Sequence, residues 1–237
     1  SPDGNTVAYV NNKDEMYTVD RRSGATKKIC KRCGPPSDIS AGGQKVLFEP
    51  LDPPEDVMMI DVPSNQITSV VHSDRADHIL YQGRFSPDAH WVAFHAALDK
   101  SLNKKVFISP VRDGRGAKEA DWIPVTDGLQ VDGDVAWSPD GNLLYFLSER
   151  DGFRCVWAQR LNPATKQAQG MAFAVRHFHD SRESLRRIDH PDLIGLSVTR
   201  DKLVFSMNEL TGNIWMEERN TIVYRGVLSR WMPAIFH

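Results

Sequence analysis

The chain has 237 residues, a formal net charge of −2 and 41% hydrophobic residues. Charges of both signs are interspersed, which argues against a nucleic acid as the main partner, because phosphate binding needs a basic face. No apolar run approaches the roughly 18 residues of a membrane-spanning helix. The 3 cysteines are too few for a fold built on disulfides. The length suits a single all-β domain with a full core.

A turn motif recurs along the chain and indicates its architecture. In its clearest copy, Trp137-Ser138-Pro139-Asp140-Gly141, proline presets the first turn dihedral angle, aspartate bonds back to the backbone and glycine accepts a positive φ. Six residues after the serine stands an aliphatic residue, and eight after it an aromatic one, so both lie on one face of the following strand. The five copies start at Ser1, Ser40, Ser86, Ser138 and Ser197.

These serines are 39, 46, 52 and 59 residues apart, which is typical of four-stranded propeller blades with loops of increasing length. We therefore predict an all-β β-propeller, one domain over residues 1–237 with five four-stranded antiparallel blades. The expected blade boundaries are about 1–34, 35–75, 76–130, 131–185 and 186–225. The predicted strands are 6–10, 16–19, 26–30, 46–49, 57–61, 67–71, 79–85, 91–95, 106–109, 122–125, 134–137, 143–147, 155–159, 172–178, 194–197, 202–206, 213–217 and 221–224.

The chain begins within a motif and without an initiator methionine, so we expect it to be processed, trimmed or cut from a longer protein, and it contains no signal peptide. The first blade then lacks an inner strand. We predict that residues about 226–232 supply it by pairing with residues 6–10, with Trp231 standing where Trp137 stands before its own turn. The competing interpretation is that the tail is a disordered or artificial remnant and that the ring is open or dimerises through its edge.

The repeat resembles the TolB-like, WD-repeat-like β-propeller repeats of bacterial proteins over residues 1 to about 220. The matching segments are Phe85-Ser86-Pro87-Asp88, Trp137 to Gly141 with Leu144-Tyr145-Phe146, and Asn213-Ile214-Trp215-Met216. The resemblance implies a periplasmic or extracellular bacterial protein that binds proteins, peptides or sugars, joined in places to other domains. It carries over no catalytic residue. Six or seven blades are commoner in this group, so the chain is either a cut-down larger propeller or a five-bladed one.

Propellers bind ligands where the inner strands begin, and the loops that enter the predicted inner strands are rich in carboxylates and imidazoles. The channel-mouth candidates are Asp38, His78, Asp132, Asp134, Asp189, His190 and Asp192. One interpretation is that aspartate simply makes turns here. The other is a site for Ca²⁺ or another divalent cation held by Asp132, Asp134 and Asp192. His78, His190 and Asp134 are then the candidate catalytic residues, with Asp or His as general base.

Two further patterns carry chemistry. Cys30-Lys31-Arg32-Cys33-Gly34 has the spacing of half a metal knuckle, but the sequence contains no second pair, which favours a thiol pair or a local disulfide over a metal or redox role. In His177-Phe178-His179-Asp180, alternation places both imidazoles on one side of an outer strand or the following connection. That geometry can chelate a metal, although the distance from the axis favours a surface role.

Two function classes follow. The first is a TolB-like binding module for a protein, peptide or carbohydrate ligand at the channel mouth. The second is a metal-dependent propeller hydrolase acting on an ester or a lactone, such as an acyl lactone. The two differ in whether carboxylates converge at the mouth of the channel. A Gly-x-Ser-x-Gly elbow and a phosphate-binding glycine loop are both absent from the sequence.

Overall fold

The computed structural model describes residues 1–52, 56–98, 103–112, 116–180, 184–185 and 195–207. Within these residues the regular structure consists of β-strands and two short 3₁₀ turns, Ala41–Gly43 and Glu119–Asp121. The prediction of an all-β protein is confirmed. In the same part of the chain, no helix has the length and apolar character needed to cross a membrane.

The strands form successive antiparallel sheets in which each strand pairs with the next along the chain. Blade one has three strands: β1 (Thr6–Val10), β2 (Glu15–Asp20) and β3 (Thr26–Lys31). Blade two has four: β4 (Pro36–Ile39), β5 (Lys45–Phe48), β6 (Val57–Asp61) and β7 (Gln66–Val71).

Blade three contains β8 (Ile79–Phe85), β9 (Trp91–Ala97), β10 (Lys105–Pro110) and β11 (Ile123–Pro124). Blade four contains β12 (Gly133–Trp137), β13 (Leu143–Ser148), β14 (Cys155–Leu161) and β15 (Ala168–Arg176). A last described hairpin pairs β16 (Ser197–Val198) with β17 (Leu203–Val204). The three four-stranded meanders are the blades expected of a propeller. The predicted count of five blades stays a prediction, and the predicted closing strand, 226–232, lies outside the described residues.

The turn serine has a structural role that explains its recurrence. In each of the first four copies, its Oγ accepts a hydrogen bond from the backbone N–H five residues later, on Thr6 (2.9 Å), Lys45 (3.0 Å), Trp91 (3.0 Å) and Leu143 (2.9 Å). In the clearest copy, Gly141 has φ 68° and donates its N–H to the Ser138 carbonyl at 2.9 Å. The hydroxyl thereby satisfies the first amide of the returning strand, where a nonpolar side chain would leave it without a partner.

The fifth copy departs from this alignment. Ser197 lies inside β16 and pairs with Val204, so it does not start the turn. Thr199 takes over, and its Oγ1 accepts the Lys202 N–H at 3.0 Å. The turn between β16 and β17 is therefore shorter than in the other copies. Leu203 is nevertheless half-buried and packs against blade four, as the repeat predicts.

The hydrophobic core lies between neighbouring blades. The residues six and eight after the serine point towards the preceding blade, and they are fully or nearly fully buried in blades two, three and four: Val46, Phe48, Val92, Phe94, Leu144 and Phe146. Phe94, for example, packs with Leu47 of blade two, and Phe146 packs with Val106 of blade three. Each blade interface thus uses the same two positions of the repeat.

Blade one breaks this rule. Val7 is 50% exposed and Tyr9 is 39% exposed, although both occupy the predicted interface positions. The prediction that these two side chains are buried is wrong for the described part of the chain. The physical reason is that their face points away from blade two, towards the side on which a preceding blade would lie.

Two predicted positions shift in the structure. Asp38, expected in a loop before the inner strand of blade two, lies within that strand, β4. The outer strand of blade four is β15, which ends at Arg176, so His177 and His179 follow the strand. The connection after β15, and not strand alternation, therefore sets the position of these two imidazoles.

Candidate functional site

Several polar side chains lie at one end of the blades. In an antiparallel meander, the first and third strands begin, and the second and fourth strands end, at the same end of the sheet. We call the end at which the innermost strands begin the upper face. Asp134 is the second residue of β12 there, His95 lies near the end of β9, and Lys104 and Arg154 immediately precede β10 and β14.

A pocket opens at the upper face between blades three and four. Its enclosed part is about 10 Å³, enough for roughly one water molecule, and the pocket is lined by His95, Lys104, Val131, Gly133, Asp134, Leu147 and Arg154. The His95 ring stacks on Tyr81 with centroids 5.2 Å apart. On its other side it lies over Gly133, where an added Cβ would sit 3.4 Å from the ring. This is an ordinary van der Waals distance, so the inner strand packs directly against the imidazole.

His95 is the unusual group of this pocket. The residue is 1% exposed, and neither ring nitrogen has a hydrogen-bond partner within the described residues. Burial lowers the pKa of His95 well below its ordinary value, and the positive charges of Lys104 and Arg84 lower it further. The imidazole is therefore neutral at pH 7 and offers one donor and one acceptor. Leaving each buried group unsatisfied costs about 1–3 kcal/mol, so a water molecule or a ligand is needed to satisfy them.

Charged groups surround this imidazole. Lys104 Nζ lies 4.3 Å from the centre of the Tyr81 ring, and Arg154 pairs with Glu149 at 2.8 Å. Asp134 is 3% exposed and has φ 53°, at an irregularity in the pairing of β12 with β13. Such bulges redirect side chains and recur beside functional sites. The pocket therefore combines a neutral imidazole, two cations and a carboxylate.

Asp38 joins two blades. Its Oδ2 accepts the Phe85 N–H of β8 at 2.7 Å and its Oδ1 accepts the Ile39 N–H at 2.8 Å. Burial raises the pKa of Asp38, while the Arg84 charge and these hydrogen bonds oppose that rise. Arg84 in turn donates to the Ser37 carbonyl. These contacts fasten the inner strand of blade two to that of blade three.

His78 and Asp132 contact other residues than those of this junction. His78 is 8% exposed, and its Nδ1 lies 3.0 Å from Ser73 Oγ and 3.0 Å from Glu119 Oε1. Asp132 is fully buried, with Arg150 3.7 Å from its Oδ1. Burial raises the pKa of Asp132, and the hydroxyls of Ser148 and Thr126 and then the Arg150 charge act against it. The remaining candidates, Asp189, His190 and Asp192, lie outside the described residues.

A second cluster lies on the upper face of blade four. We call Asp151, Cys155, His177 and His179 the Asp151 cluster; their potential ligand atoms all lie within 4.8 Å of one another. Among the described residues, this cluster is the one place where three or more His, Cys, Asp or Glu side chains lie close enough to hold a metal ion. None of the channel-mouth candidates belongs to it. The channel-mouth cation site therefore stays a prediction.

Hydrogen bonds organise the Asp151 cluster. His177 Nδ1 and His179 Nε2 each lie 2.9 Å from the same oxygen, Asp151 Oδ2. Burial acts to raise the pKa of Asp151, but hydrogen bonds from His179, the Phe153 amide and His177 outweigh it and leave the pKa lowered. Burial raises the pKa of Cys155. The carboxylate is thus ionised and central, with two imidazoles and a thiol around it.

The sequence pattern did not single out two buried ionisable residues, His95 and Glu49. Both stand nine residues after a repeat serine, the position that follows the buried aromatic residue. Burial raises the pKa of Glu49, and its Oε1 accepts the Gly83 N–H at 3.4 Å. In blade four the same position is Leu147, which also lines the pocket. A polar residue at this position of an apolar strand was the signal available.

The cysteine pair is a local disulfide, with Cys30 bonded to Cys33. This agrees with the thiol-pair or local-disulfide interpretation. Cys155 is the free cysteine of the chain and is buried.

Comparisons with known proteins identify the fold. No protein-family model matches the chain, and no curated protein matches it. TolB from Acinetobacter baumannii superposes with a TM-score of 0.55 at 18% identity, covering 74% of this chain and 41% of that one. A putative TolB from Agrobacterium tumefaciens gives 0.57 at 19% identity, covering 73% and 62%. An oligogalacturonate lyase in complex with manganese gives 0.52 at 14% identity, covering 83% and 54%.

These similarities support a TolB-like β-propeller fold and extend no further, because all three identities are below 20%. The chain spans between 41% and 62% of the length of these structures. Function therefore has to be argued from the side chains of the upper face.

Proposed function

We propose that this protein is a ligand-binding module whose ligand docks on the upper face, with the pocket between blades three and four as its anchor point. The observation that carries the proposal is His95, a neutral, buried imidazole that lines the pocket and has no hydrogen-bond partner for either nitrogen among the described residues. Concave sites with a few convergent polar groups are the usual form of ligand sites. A ligand that supplies one acceptor and one donor satisfies both nitrogens.

The surroundings favour an acidic or polar end group. Lys104 lines the pocket, and its positive charge and that of Arg84 act on His95, which favours a carboxylate. The enclosed space holds about one water molecule, so the ligand would place one polar group at the pocket and lie mainly across the upper face. Among proteins, peptides and carbohydrates, we favour a peptide with a free C-terminal carboxylate or an acidic sugar.

The alternative is a hydrolase of esters or lactones that uses Ca²⁺ or another divalent cation. Its support is Asp134, a buried carboxylate inside the pocket. Lys104 weighs against it, since a positive charge lining the same pocket opposes a bound cation, whereas the charge of Arg154 is offset by Glu149. Asp132 already has Arg150 beside it. The binding module is therefore the better-supported function.

His95→Phe separates function from structure. The substitution keeps a flat ring against Tyr81 and removes two unsatisfied nitrogens, so the melting temperature should stay equal or rise. Binding should fall about tenfold or more, since one lost hydrogen bond to a charged ligand is worth about 1.5–3 kcal/mol. Calorimetric titration would use peptides with free or amidated C-termini and acidic or neutral oligosaccharides. Lys104→Gln should also weaken binding, while Lys118→Gln, an exposed lysine paired with Asp74, is the matched control.

Three results would contradict this proposal. The first is that the wild type binds none of these probes. The second is unchanged binding by His95→Phe, and the third is a large loss of stability in that variant, which would give His95 a structural role. Chelator-sensitive hydrolysis of ester or lactone substrates, lost in Asp134→Asn, would instead support the hydrolase.

We also propose an oxidising location, periplasmic or extracellular in a bacterium. The Cys30–Cys33 disulfide supports it, because disulfides persist in such compartments and are rare in the cytosol. Since the chain spans only part of its structural relatives, its partners within this proposal include further domains of a longer protein.

A further inference from the structure

We propose that the Asp151 cluster is a binding site for a transition-metal ion, with zinc as the best fit. This site is separate from the pocket and does not rest on the proposed ligand-binding function. Its four donors are one carboxylate, one thiol and two imidazoles. That set differs in kind from the oxygen-rich cation site expected at the channel mouth.

The fold brings the four residues together by strand pairing. Asp151 lies in the hairpin between β13 and β14, and Cys155 opens β14. The last pair between β14 and β15 is Val156 with Arg176, so the chain leaving β15 runs directly past Cys155. The geometry therefore follows from the ladder of blade four.

Phe178 fixes the orientation of the two histidines. Its side chain is 4% exposed and packs edge-to-face on Phe205 at 5.5 Å. Its N–H donates to Cys155 Sγ at 3.3 Å. With Phe178 anchored inwards, His177 and His179 on either side of it turn towards Asp151.

Aromatic neighbours hold both imidazoles in place. The Phe153 ring lies 4.3 Å from that of His179, and the Trp157 ring lies 5.9 Å from that of His177. The histidine side chains are 50% and 44% exposed, which leaves an ion a path from solvent. A site that is both preorganised and accessible can load metal without unfolding the blade.

The donor set selects the metal. Thiolate and imidazole are the ligands that zinc and its neighbours prefer, whereas Ca²⁺ and Mg²⁺ take oxygen ligands. Zinc bonds of 2.0–2.3 Å in a tetrahedron place ligand atoms roughly 3.3–3.8 Å apart. Here the donors lie within 4.8 Å, and small rotations of the two half-exposed imidazoles close that difference. Four protein ligands in a closed tetrahedron are typical of a structural zinc site.

The competing interpretation is a clasp without metal, in which both imidazoles hydrogen-bond to Asp151 and close the hairpin.

The test uses tag-free protein, stripped with chelator and kept non-reducing so that the Cys30–Cys33 disulfide persists. Zinc is titrated against a chromophoric chelator, and Co²⁺ is titrated by absorbance. We expect one equivalent of metal, a rise in melting temperature with zinc and a thiolate-to-cobalt charge-transfer band.

Variants assign the ligands. His177→Ala and His179→Ala should each weaken zinc binding about tenfold or more, on the scale at which supporting contacts of metal sites act. Cys155→Ser should remove the charge-transfer band. His90→Ala is the matched control, because His90 is an exposed histidine that also lies beside an aspartate, Asp88, at 3.4 Å. A Cys30→Ser, Cys33→Ser double variant should bind zinc as the wild type does.

Circular dichroism without metal establishes that each variant is folded before titration. The proposal is overturned if the wild type binds no zinc below about 100 μM, or if His177→Ala and His179→Ala bind as tightly as His90→Ala. Zinc binding that disappears in the Cys30, Cys33 double variant would also overturn it. If zinc leaves the wild-type melting temperature unchanged, the clasp without metal is the correct interpretation.

Discussion

The interface between blades can be tested by substituting alanine at the same repeat position in two blades. Phe94 and Tyr9 both stand eight residues after their turn serines, but Phe94 is fully buried and Tyr9 is 39% exposed. The Phe94 ring lies 5.7 Å from Phe107 and 5.1 Å from Trp122. Phe94→Ala therefore removes a buried ring with two aromatic partners, and Tyr9→Ala removes a ring that solvent already reaches.

The two substitutions should lower the free energy of unfolding by clearly different amounts. Replacing a buried phenylalanine by alanine costs about 3–5 kcal/mol, which lowers the melting temperature by roughly 6–20 °C in a domain of this size. Partial burial of Tyr9 limits its cost to about 1–2 kcal/mol. Urea unfolding followed by tryptophan fluorescence measures both values on the same protein background.

Two outcomes would refute this reasoning. A Phe94→Ala cost below about 1 kcal/mol would mean that the interface between blades two and three does not carry the core. A Tyr9→Ala cost equal to that of Phe94→Ala would mean that another blade covers the open face of blade one in solution. That second result would restore the original prediction from the repeat.

Three further predictions concern pH, thiols and the tail. Hydrogen bonding to Asp56 raises the pKa of His72 above 6.5. This contact therefore stabilises the fold fully below pH 6.5, and the stabilisation is lost as pH rises through the folded-state pKa. His72→Gln should lower the free energy of unfolding more at pH 6 than at pH 9, and equal losses in urea unfolding at the two pH values would contradict this. Denatured, unreduced protein should expose one reactive thiol, Cys155, and reduction should add the two of the Cys30–Cys33 disulfide; three thiols before reduction would contradict the disulfide. Deleting residues 226–237 should cause loss of folding or aggregation if the tail closes the ring, whereas a stable monomer with an unchanged melting curve would rule closure out.

Turn chemistry made the fold predictable. The serine hydroxyl accepts a hydrogen bond from the backbone N–H five residues later, as Ser138 does from Leu143. Because this interaction is local, it appears in the sequence as a recurring motif. The aliphatic and aromatic positions after it show which face of a strand is apolar. The same logic failed at Ser197, because a shorter turn around Thr199 places that serine inside its strand.

The site was less predictable, because its properties depend on distant neighbours. Asp38 looked like a turn residue beside a channel, yet it is a buried acceptor for the Phe85 amide of the next blade. His95 looked like the polar end of an apolar strand. Its burial depends on stacking against Tyr81 and on packing beside Gly133, and neither contact is encoded next to it in the chain.

The sequence by itself determined the all-β blade architecture, the turn positions and the apolar face of each strand, because these follow from hydrogen bonding and periodicity within a few residues. Only the tertiary structure decided what covers each face and which polar groups converge. Val7 has the pattern of an interface residue but is half exposed, because exposure depends on a neighbouring blade. His177 and His179 had the spacing of a chelate in the sequence, and the pairing of β14 with β15 supplied Asp151 and Cys155. Burial, desolvation and convergence are properties of packed blades, and a local pattern contains none of them.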